Sequence, residues 1–246
     1  MVFGLGWVEG AKRGAAVEAI RLVRDGFIVG LGSGSTVAYA IAELGRRVRS
    51  EGLHVLGVPT SFQALELAVR HGIPLTTLHE HPELDLAIDG ADQVDSRLNL
   101  IKGLGAALTR EKVVAASAKL FVVVVDERKL VETLGGGVPV PVEVLPFAVP
   151  LVMRRLGELG LKAAVRTAGK GKVGPVITDN GNVILDIKVD AVEEPAKLDK
   201  QLKQIPGVIE TGLFVDMADI VYVGGREGVR KIERGRKVEK GWTDAD

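Results

Sequence analysis

The stretch FIVGLGSGST, residues 27–36, decides the fold. Its first five residues are apolar or glycine, which is typical of a short buried strand. A loop rich in glycine and serine follows, and residues 36–49 then carry apolar side chains at helical spacing. A buried strand, a glycine loop and a helix in this order indicate an α/β domain with a parallel sheet.

The same alternation continues on both sides of this stretch. Helices are predicted over residues 7–25, 61–71 and 109–118, with Ser61 as the N-cap of the second, and buried strands over residues 55–58, 84–88 and 120–125. Strands that are apolar throughout and separated by helices predict a doubly wound, mostly parallel sheet, which is a Rossmann-like α/β fold.

A joint rich in glycine and proline, around residues 135–141, separates this part from a second pattern. Strand, helix, strand, strand, helix and strand are predicted there over residues 140–145, 147–159, 161–167, 183–189, 195–204 and 208–214. This βαββαβ order is the ferredoxin-like arrangement. A strand over residues 220–223 is expected to return to the first sheet. The prediction is a Rossmann-like domain of residues 1–137 and 219–246, with an inserted, smaller ferredoxin-like domain of residues 138–218.

The composition excludes several classes of protein. The 246 residues include 32 basic and 32 acidic side chains, whereas nucleic-acid-binding proteins usually carry a basic excess. The chain has no cysteine, which removes disulfide frameworks, zinc fingers and thiol nucleophiles. The longest apolar runs are too short to cross a bilayer, and no signal-peptide pattern stands out. We expect a cytoplasmic protein that binds neither nucleic acid nor membrane.

In open α/β sheets, ligands bind beyond the carboxyl ends of the strands. The first loop there places Gly34 and the hydroxyls of Ser33, Ser35 and Thr36 at a helix N-terminus, which favours a phosphate or a carboxylate. A plain tight turn with a helix cap is the alternative. A dinucleotide fits poorly, because Ser35 replaces the third glycine of the fingerprint and no acidic residue ends the next strand.

Acidic residues follow the strand over residues 84–88. The segment Asp89-Gly90-Ala91-Asp92 places two carboxylates at one strand end, where they could hold sugar hydroxyls or move protons between oxygens. An Asp-rich turn that caps a helix is the alternative.

The next segment pairs a lysine with a glutamate. Lys102 begins the turn Lys102-Gly103-Leu104-Gly105, and Glu111 falls in the first turn of the following helix. Glu111 either interacts with the helix dipole or acts as a general base. The second role requires burial to raise its pKa against the dipole.

Other polar residues give weaker signals. Lys12 and Lys129 could reach an anion in the first loop or could be solvated. His79 and His81 have no third ligand assigned, so no metal site is predicted. No G-x-S-x-G elbow is present for a serine hydrolase.

Taken together, these segments resemble ribose-5-phosphate isomerase of type A, over about residues 7–228. The matching motifs are GSGST at 32–36, DGADQ at 89–93, KGLGAALTREK at 102–112, PVEV at 141–144 and TDNGN at 178–182. The resemblance implies interconversion of D-ribose 5-phosphate and D-ribulose 5-phosphate in the pentose phosphate pathway, without a cofactor.

The resemblance also implies residue roles. Glu111 would shuttle a proton between C2 and C1, and Lys102 would stabilise the charge that develops on oxygen. Asp89 and Asp92 would bind hydroxyls and assist ring opening. The phosphate would lie against Ser35 and Thr36, with Lys12 and Lys129 as counter-charges.

Three positions depart from the family pattern. Ser33 replaces Thr and keeps the hydroxyl, and Gln93 replaces Glu and removes a charge beside the two aspartates. Leu104 replaces a Gly, which would cost about 1–2 kcal/mol if that position needs a positive φ.

Two other functions stay open on this scaffold. One is a non-catalytic sensor of sugar phosphates, and the other is a coenzyme A transferase, which would also use a Glu. A homodimer or homotetramer is expected, because the inserted domain offers an interface. The charged tail, residues 230–246 with Trp242, is expected to be a frayed end or a strap across a neighbouring subunit.

Overall fold

The computed structural model describes residues 6–235, which form six α-helices and fifteen strands. The helices are α1 Gly6–Ile20, α2 Ser35–Glu51, α3 Phe62–Arg70, α4 Leu108–Ala116, α5 Val149–Glu158 and α6 Pro195–Lys203. The strands are β1 Ile28–Leu31, β2 Leu56–Pro59, β3 Leu86–Asp89, β4 Gln93–Val94, β5 Leu100–Ile101, β6 Phe121–Asp126, β7 Leu134–Gly135, β8 Val140–Val144, β9 Lys162–Val165, β10 Val183–Lys188, β11 Ala191–Val192, β12 Val208–Thr211, β13 Leu213–Phe214, β14 Ile220–Gly225 and β15 Gly228–Glu233.

The largest sheet has six strands in the order β15-β14-β6-β3-β1-β2. All neighbours are parallel except β15, which is antiparallel to β14. The run of valines in β6 is buried throughout, because Val122 and Val124 enter the core on one face while Val123 and Val125 enter the core on the other. The predicted Rossmann-like sheet is confirmed, and so is the return of the strand near residue 220, which pairs in parallel with β6.

A second sheet of four antiparallel strands has the order β12-β8-β10-β9. Helix α5 connects β8 to β9, and α6 lies between β10 and β12. The βαββαβ order is therefore the predicted one, and it encloses its own apolar core with Val142, Val152 and Leu202 at its centre. The bounds of the inserted domain, residues 138–218, stay a prediction.

The strand predicted over residues 208–214 is wrong as a single element. It breaks at Gly212 into β12, which belongs to the four-stranded sheet, and β13, which pairs with β5 in a separate three-stranded sheet. The break follows from crowding: a Cβ at Gly212 would lie 2.3 Å from the carbonyl oxygen of Lys102. The chain thus crosses from the four-stranded to the three-stranded sheet at a residue that has no side chain.

Two further boundaries differ from the predictions. The first helix ends at Ile20 instead of residue 25, because Arg47 donates hydrogen bonds to the carbonyl oxygens of Ile20 and Val23. Residues 230–233 are not a frayed tail, since they belong to the edge strand β15. The rest of the predicted tail, including Trp242, lies outside the described residues. Within residues 6–235, no helix is long and apolar enough to span a bilayer.

Candidate active site

A cavity of about 390 Å³ lies beyond the carboxyl ends of β1, β2, β3 and β6. The inserted domain supplies one side of it through residues 176–179. The predicted site residues that border the cavity are Lys12, Ser33, Gly34, Ser35, Thr36, Gly90, Ala91, Asp92, Lys102, Gly103, Gly105, Glu111 and Lys129. Asp89 and Leu104 are the predicted site residues that are not among its lining.

Lys102 sits between two buried carboxylates. Its Nζ atom lies 3.1 Å from Oδ2 of Asp89 and 3.2 Å from Oε2 of Glu111, and it donates a 2.6 Å hydrogen bond to the carbonyl oxygen of Gly90. All three residues are at least 94% buried. Asp89 therefore lies beneath the residues that line the cavity, and it influences the site through its contact with Lys102.

Short strands hold the backbone of Lys102 in this position. The residue follows β5, which lies between β4 and β13, and its backbone N–H donates to the carbonyl oxygen of Gly212 at 2.9 Å. The ring of Phe214 on β13 faces the ammonium group at 5.4 Å. Glu111 comes from the first turn of α4, as predicted.

Burial and neighbouring charges shift the pKa values of this group. Burial raises the pKa of Glu111 to about 8, and the nearby charge of Asp89 adds to the rise, while Lys102 opposes it. Burial likewise raises the pKa of Asp89. Burial alone would lower the pKa of Lys102, but Asp89, Glu111 and Asp92 outweigh it and hold that pKa above its usual range. Glu111 is therefore buried, with a raised pKa, as the role of general base requires.

The glycine loop packs directly on Asp89. Oδ1 of Asp89 accepts hydrogen bonds from the backbone N–H groups of Ser33 at 3.1 Å and Gly90 at 2.7 Å. A Cβ at Gly32 would lie 2.3 Å from the carboxylate carbon, so only glycine fits there. The Ser33 hydroxyl contacts the hydroxyls of Thr60 at 2.8 Å and Ser61 at 2.5 Å. The loop and the acid thus form one hydrogen-bonded unit.

Leu104 does not strain the loop after Lys102. Positive φ values occur at Gly103 and at Ala106, whose φ is 61°, whereas Leu104 is not among the described residues with positive φ. Its N–H donates to Oδ2 of Asp92 at 3.0 Å. The substitution of Leu for Gly therefore carries no backbone penalty, and the peptide at residue 104 orients Asp92.

Gln93 faces away from the aspartates. Its side-chain amide forms a reciprocal pair with Gly135, donating to the carbonyl oxygen at 2.7 Å and accepting from the N–H at 2.8 Å. An ionised Glu could accept the second bond but could not donate the first. Gln at this buried position therefore ties β4 to the glycine joint.

Basic side chains stand at the rim of the cavity. Lys12 pairs with Glu9 at 2.9 Å, and Lys129 borders the cavity next to Arg128, which is not among the predicted site residues. Arg128 is oriented by two contacts with Asp126, from Nε at 2.7 Å and from Nη2 at 3.1 Å. The rim and the N-terminal turn of α2 together suit an anionic group.

Several lining residues lie outside the predicted set. Ser61, the confirmed N-cap of α3, and Gln63 come from the loop and helix after β2, and Oε1 of Gln63 accepts from the N–H of Gly34 at 2.9 Å. Polar residues after a parallel strand were the available signal for this loop. Residues 178 and 179 belong to the motif TDNGN, but no local signal places residues 176–179 at the cavity, because only tertiary packing brings them there.

Comparison with known proteins decides the family. The family model described as ribose 5-phosphate isomerase A (phosphoriboisomerase A) matches residues 56–228. The chain belongs to the ribose 5-phosphate isomerase A family. The matched region includes Asp89, Lys102 and Glu111.

Relatives support this membership over most of the chain. Ribose-5-phosphate isomerase A of Methanosarcina acetivorans is 56% identical over 221 residues, which are 90% of this chain and 93% of the relative. The structure of ribose 5-phosphate isomerase A from Methanocaldococcus jannaschii has a TM-score of 0.88 at 49% identity and covers 92% of this chain and 99% of its own. A D-ribose-5-phosphate isomerase solved in complex with phospho-erythronic acid has a TM-score of 0.89 at 50% identity, with the same coverage.

Proposed function

We propose that the protein interconverts D-ribose 5-phosphate and D-ribulose 5-phosphate. The contact of Lys102 with both Asp89 and Glu111, in a cavity that the glycine loop also borders, carries the proposal. An aldose–ketose shift needs a carboxylate base, a cation near the reacting oxygens and a site for the phosphate. This arrangement supplies all three and requires no cofactor.

The relative that binds phospho-erythronic acid supports the same reaction. The carboxylate of that ligand is planar and delocalises its negative charge, as does the enediolate between aldose and ketose. Ligands that resemble the transition state or intermediate bind more tightly than the substrate.

The geometry suggests the role of each residue. Glu111 removes the proton from C2 of the open-chain aldose, and the electron pair moves through the C1–C2 bond to the C1 oxygen. Glu111 then returns the proton to C1, and the hydroxyl proton of O2 passes to O1 as C2 becomes the ketone. Lys102 stabilises the negative charge of the enediolate. Asp92, which borders the cavity, holds hydroxyls and assists ring opening, whereas Asp89 acts through its contact with Lys102.

The phosphate is expected at the other polar feature of the cavity. The first turn of α2, with Ser35 and Thr36, has N–H groups without a partner inside the helix. Lys12, Lys129 and Arg128 add positive charge beside it.

Conversion of ribose 5-phosphate in D₂O tests the proposal. We expect metal-free protein to form ribulose 5-phosphate with solvent deuterium at C1, because a proton held by Glu111 exchanges with solvent. Absence of any ribulose 5-phosphate would contradict the proposal, whereas product without deuterium would mean that Glu111 returns the proton before it exchanges with solvent. Tight binding of ribose 5-phosphate without any turnover would indicate a sensor instead.

The pKa of Glu111 predicts the pH dependence of the rate. A general base works only when it is deprotonated, so kcat/KM should rise with pH and level off above about 8. The phosphate of the substrate titrates at about pH 6, so its effect is separable from that of Glu111. A profile that is flat between pH 6.5 and 9 would contradict the assignment.

We also propose that the protein is a homodimer or homotetramer. Phe62, Leu65 and Val69 lie on one face of α3 and are exposed, with Phe62 and Val69 each at 60%. Such an apolar stripe is typical of an interface. Leu65→Asp should lower the molar mass measured by light scattering, whereas Glu66→Gln on the same helix should not. A monomeric wild-type protein at micromolar concentration would contradict the proposal.

A further inference from the structure

Two motifs of the family pattern carry none of the catalytic groups, yet they bind each other. Glu143 lies in the segment PVEV on β8 and is fully buried. Its Oε1 atom accepts hydrogen bonds from Thr178 Oγ1 at 2.8 Å, Asn180 Nδ2 at 3.0 Å and Asn182 Nδ2 at 2.8 Å. These three donors are the uncharged polar side chains of the 178–182 turn, the segment TDNGN.

The other oxygen of the same carboxylate contacts helix α4. Oε2 of Glu143 accepts a short hydrogen bond from Oγ1 of Thr109, in the first turn of α4. Glu111 stands two residues further along the same turn. A single buried carboxylate therefore joins the 178–182 turn to the helix end that carries the general base.

Further contacts hold the 178–182 turn in the same place. Arg110 donates to Oδ1 of Asn180 and to the carbonyl oxygen of Asp179, both at 2.7 Å. Oδ2 of Asp179 accepts from the N–H of Phe62 at 2.9 Å, at the start of α3. Thr178 and Asp179 border the cavity, so the 178–182 turn is a wall of the site.

We propose that Glu143 is a positioning residue for the isomerisation. Its carboxylate locks the 178–182 turn onto the first turn of α4, and so holds Glu111 in line with the sugar carbons and keeps water away from it. This inference rests on the proposed function. It assigns a role to a buried acid that takes no part in proton transfer.

The donors to Glu143 are uncharged, which favours a positioning role for Glu143 over a role in a buried ion pair. The four partners of Glu143 are neutral, and a carboxylate has enough lone pairs to accept from all of them. Gln at this position keeps an oxygen for the 178–182 turn, and the Thr109 hydroxyl can rotate to accept from the amide. Leu removes both links and leaves the donors unpaired.

Steady-state kinetics of three variants test the proposal, with rates expressed per folded molecule. Glu143→Leu and Thr109→Val should each lower kcat about ten- to a hundredfold, since a displacement of about 1 Å is enough for such a loss. KM for ribose 5-phosphate should stay within about threefold, because the phosphate contacts are untouched. Glu143→Gln should restore most of kcat.

A second measurement separates positioning from stability alone. If the 178–182 turn loosens, water reaches Glu111 and the pKa of Glu111 falls. The acid limb, which is the rise of kcat/KM with pH, should then lie below about pH 8 in Thr109→Val. Ser117→Ala, which removes a hydroxyl that follows the last turn of α4, should leave kcat and the limb unchanged.

Wild-type kcat and an unmoved limb in Thr109→Val would overturn the proposal, even if Glu143→Leu fails to fold. Wild-type protein that does not convert ribose 5-phosphate would instead overturn the proposed function, so the two failures are distinguishable.

Discussion

Replacing Glu111 with Gln is expected to lower the turnover of ribose 5-phosphate by about a thousandfold or more. General base catalysis contributes factors of about 10²–10⁴, and Gln cannot accept the proton from C2. The substitution preserves the size of the side chain and removes a buried group that ionises only at high pH. The loss should therefore appear in kcat, with KM little changed.

The same variant should be more stable than the wild type at high pH, although it is less active. Because the pKa of Glu111 in the folded protein is raised to about 8, its contribution is complete below the ordinary value of 4.5 and is lost as the pH rises through about 8. Glu111→Gln should thus raise the free energy of unfolding at pH 9 relative to the wild type, and the gain should shrink toward pH 4.

Glu66→Gln is the matched control for Glu111→Gln, since Glu66 is exposed on α3. It should change neither the rate nor the stability. A Glu111→Gln variant that keeps turnover within a few fold of the wild type would mean that another group removes the proton.

Replacing Lys102 with Met should abolish turnover and also destabilise the fold. The substitution leaves Asp89 and Glu111 buried without their cation, and breaking a buried ion pair costs about 3–5 kcal/mol. Both carboxyl pKa values should rise further, so the two acids protonate and part of the lost stability returns at low pH. Chemical denaturation at pH 5 and pH 9 should show the larger deficit at pH 9.

An exposed lysine provides the comparison for Lys102→Met. Lys119 contacts Glu83 at 2.9 Å and Asp85 at 3.3 Å, and its side chain is 58% exposed. Lys119→Met should cost at most about 1 kcal/mol, because solvent screens exposed pairs. Equal losses at the two lysines would contradict the structural role assigned to the buried contacts of Lys102.

Local patterns were enough to predict most of the large sheet. The valine run of β6 has no alternation of polar and apolar residues, and only a strand covered on both faces satisfies it. The glycine loop after β1 and the paired aspartates after β3 were also recognisable, because ligands of such folds gather at these strand ends.

The remaining features depend on contacts that are distant in the sequence. Nothing near Gly212 reveals that it touches the carbonyl of Lys102, and nothing near Gln93 reveals its pairing with Gly135. The 178–182 turn is recognisable as a hairpin turn, but its place at the cavity follows from the packing of the inserted domain. Propensity and periodicity describe single elements, whereas these positions are set by how elements meet.

The crossing at Gly212 limits how the protein can move. Its N–H donates to the carbonyl of Pro141 at 2.7 Å, and its carbonyl accepts from the N–H of Lys102 at 2.9 Å. A bend between the four-stranded and the three-stranded sheet at this point would break both bonds and would displace the backbone of Lys102. Opening and closing of the domains is therefore a poor route for substrate entry. The sugar phosphate is expected to enter through a preformed opening beside Lys12 and Lys129. Making the protein more rigid should therefore lower its turnover little.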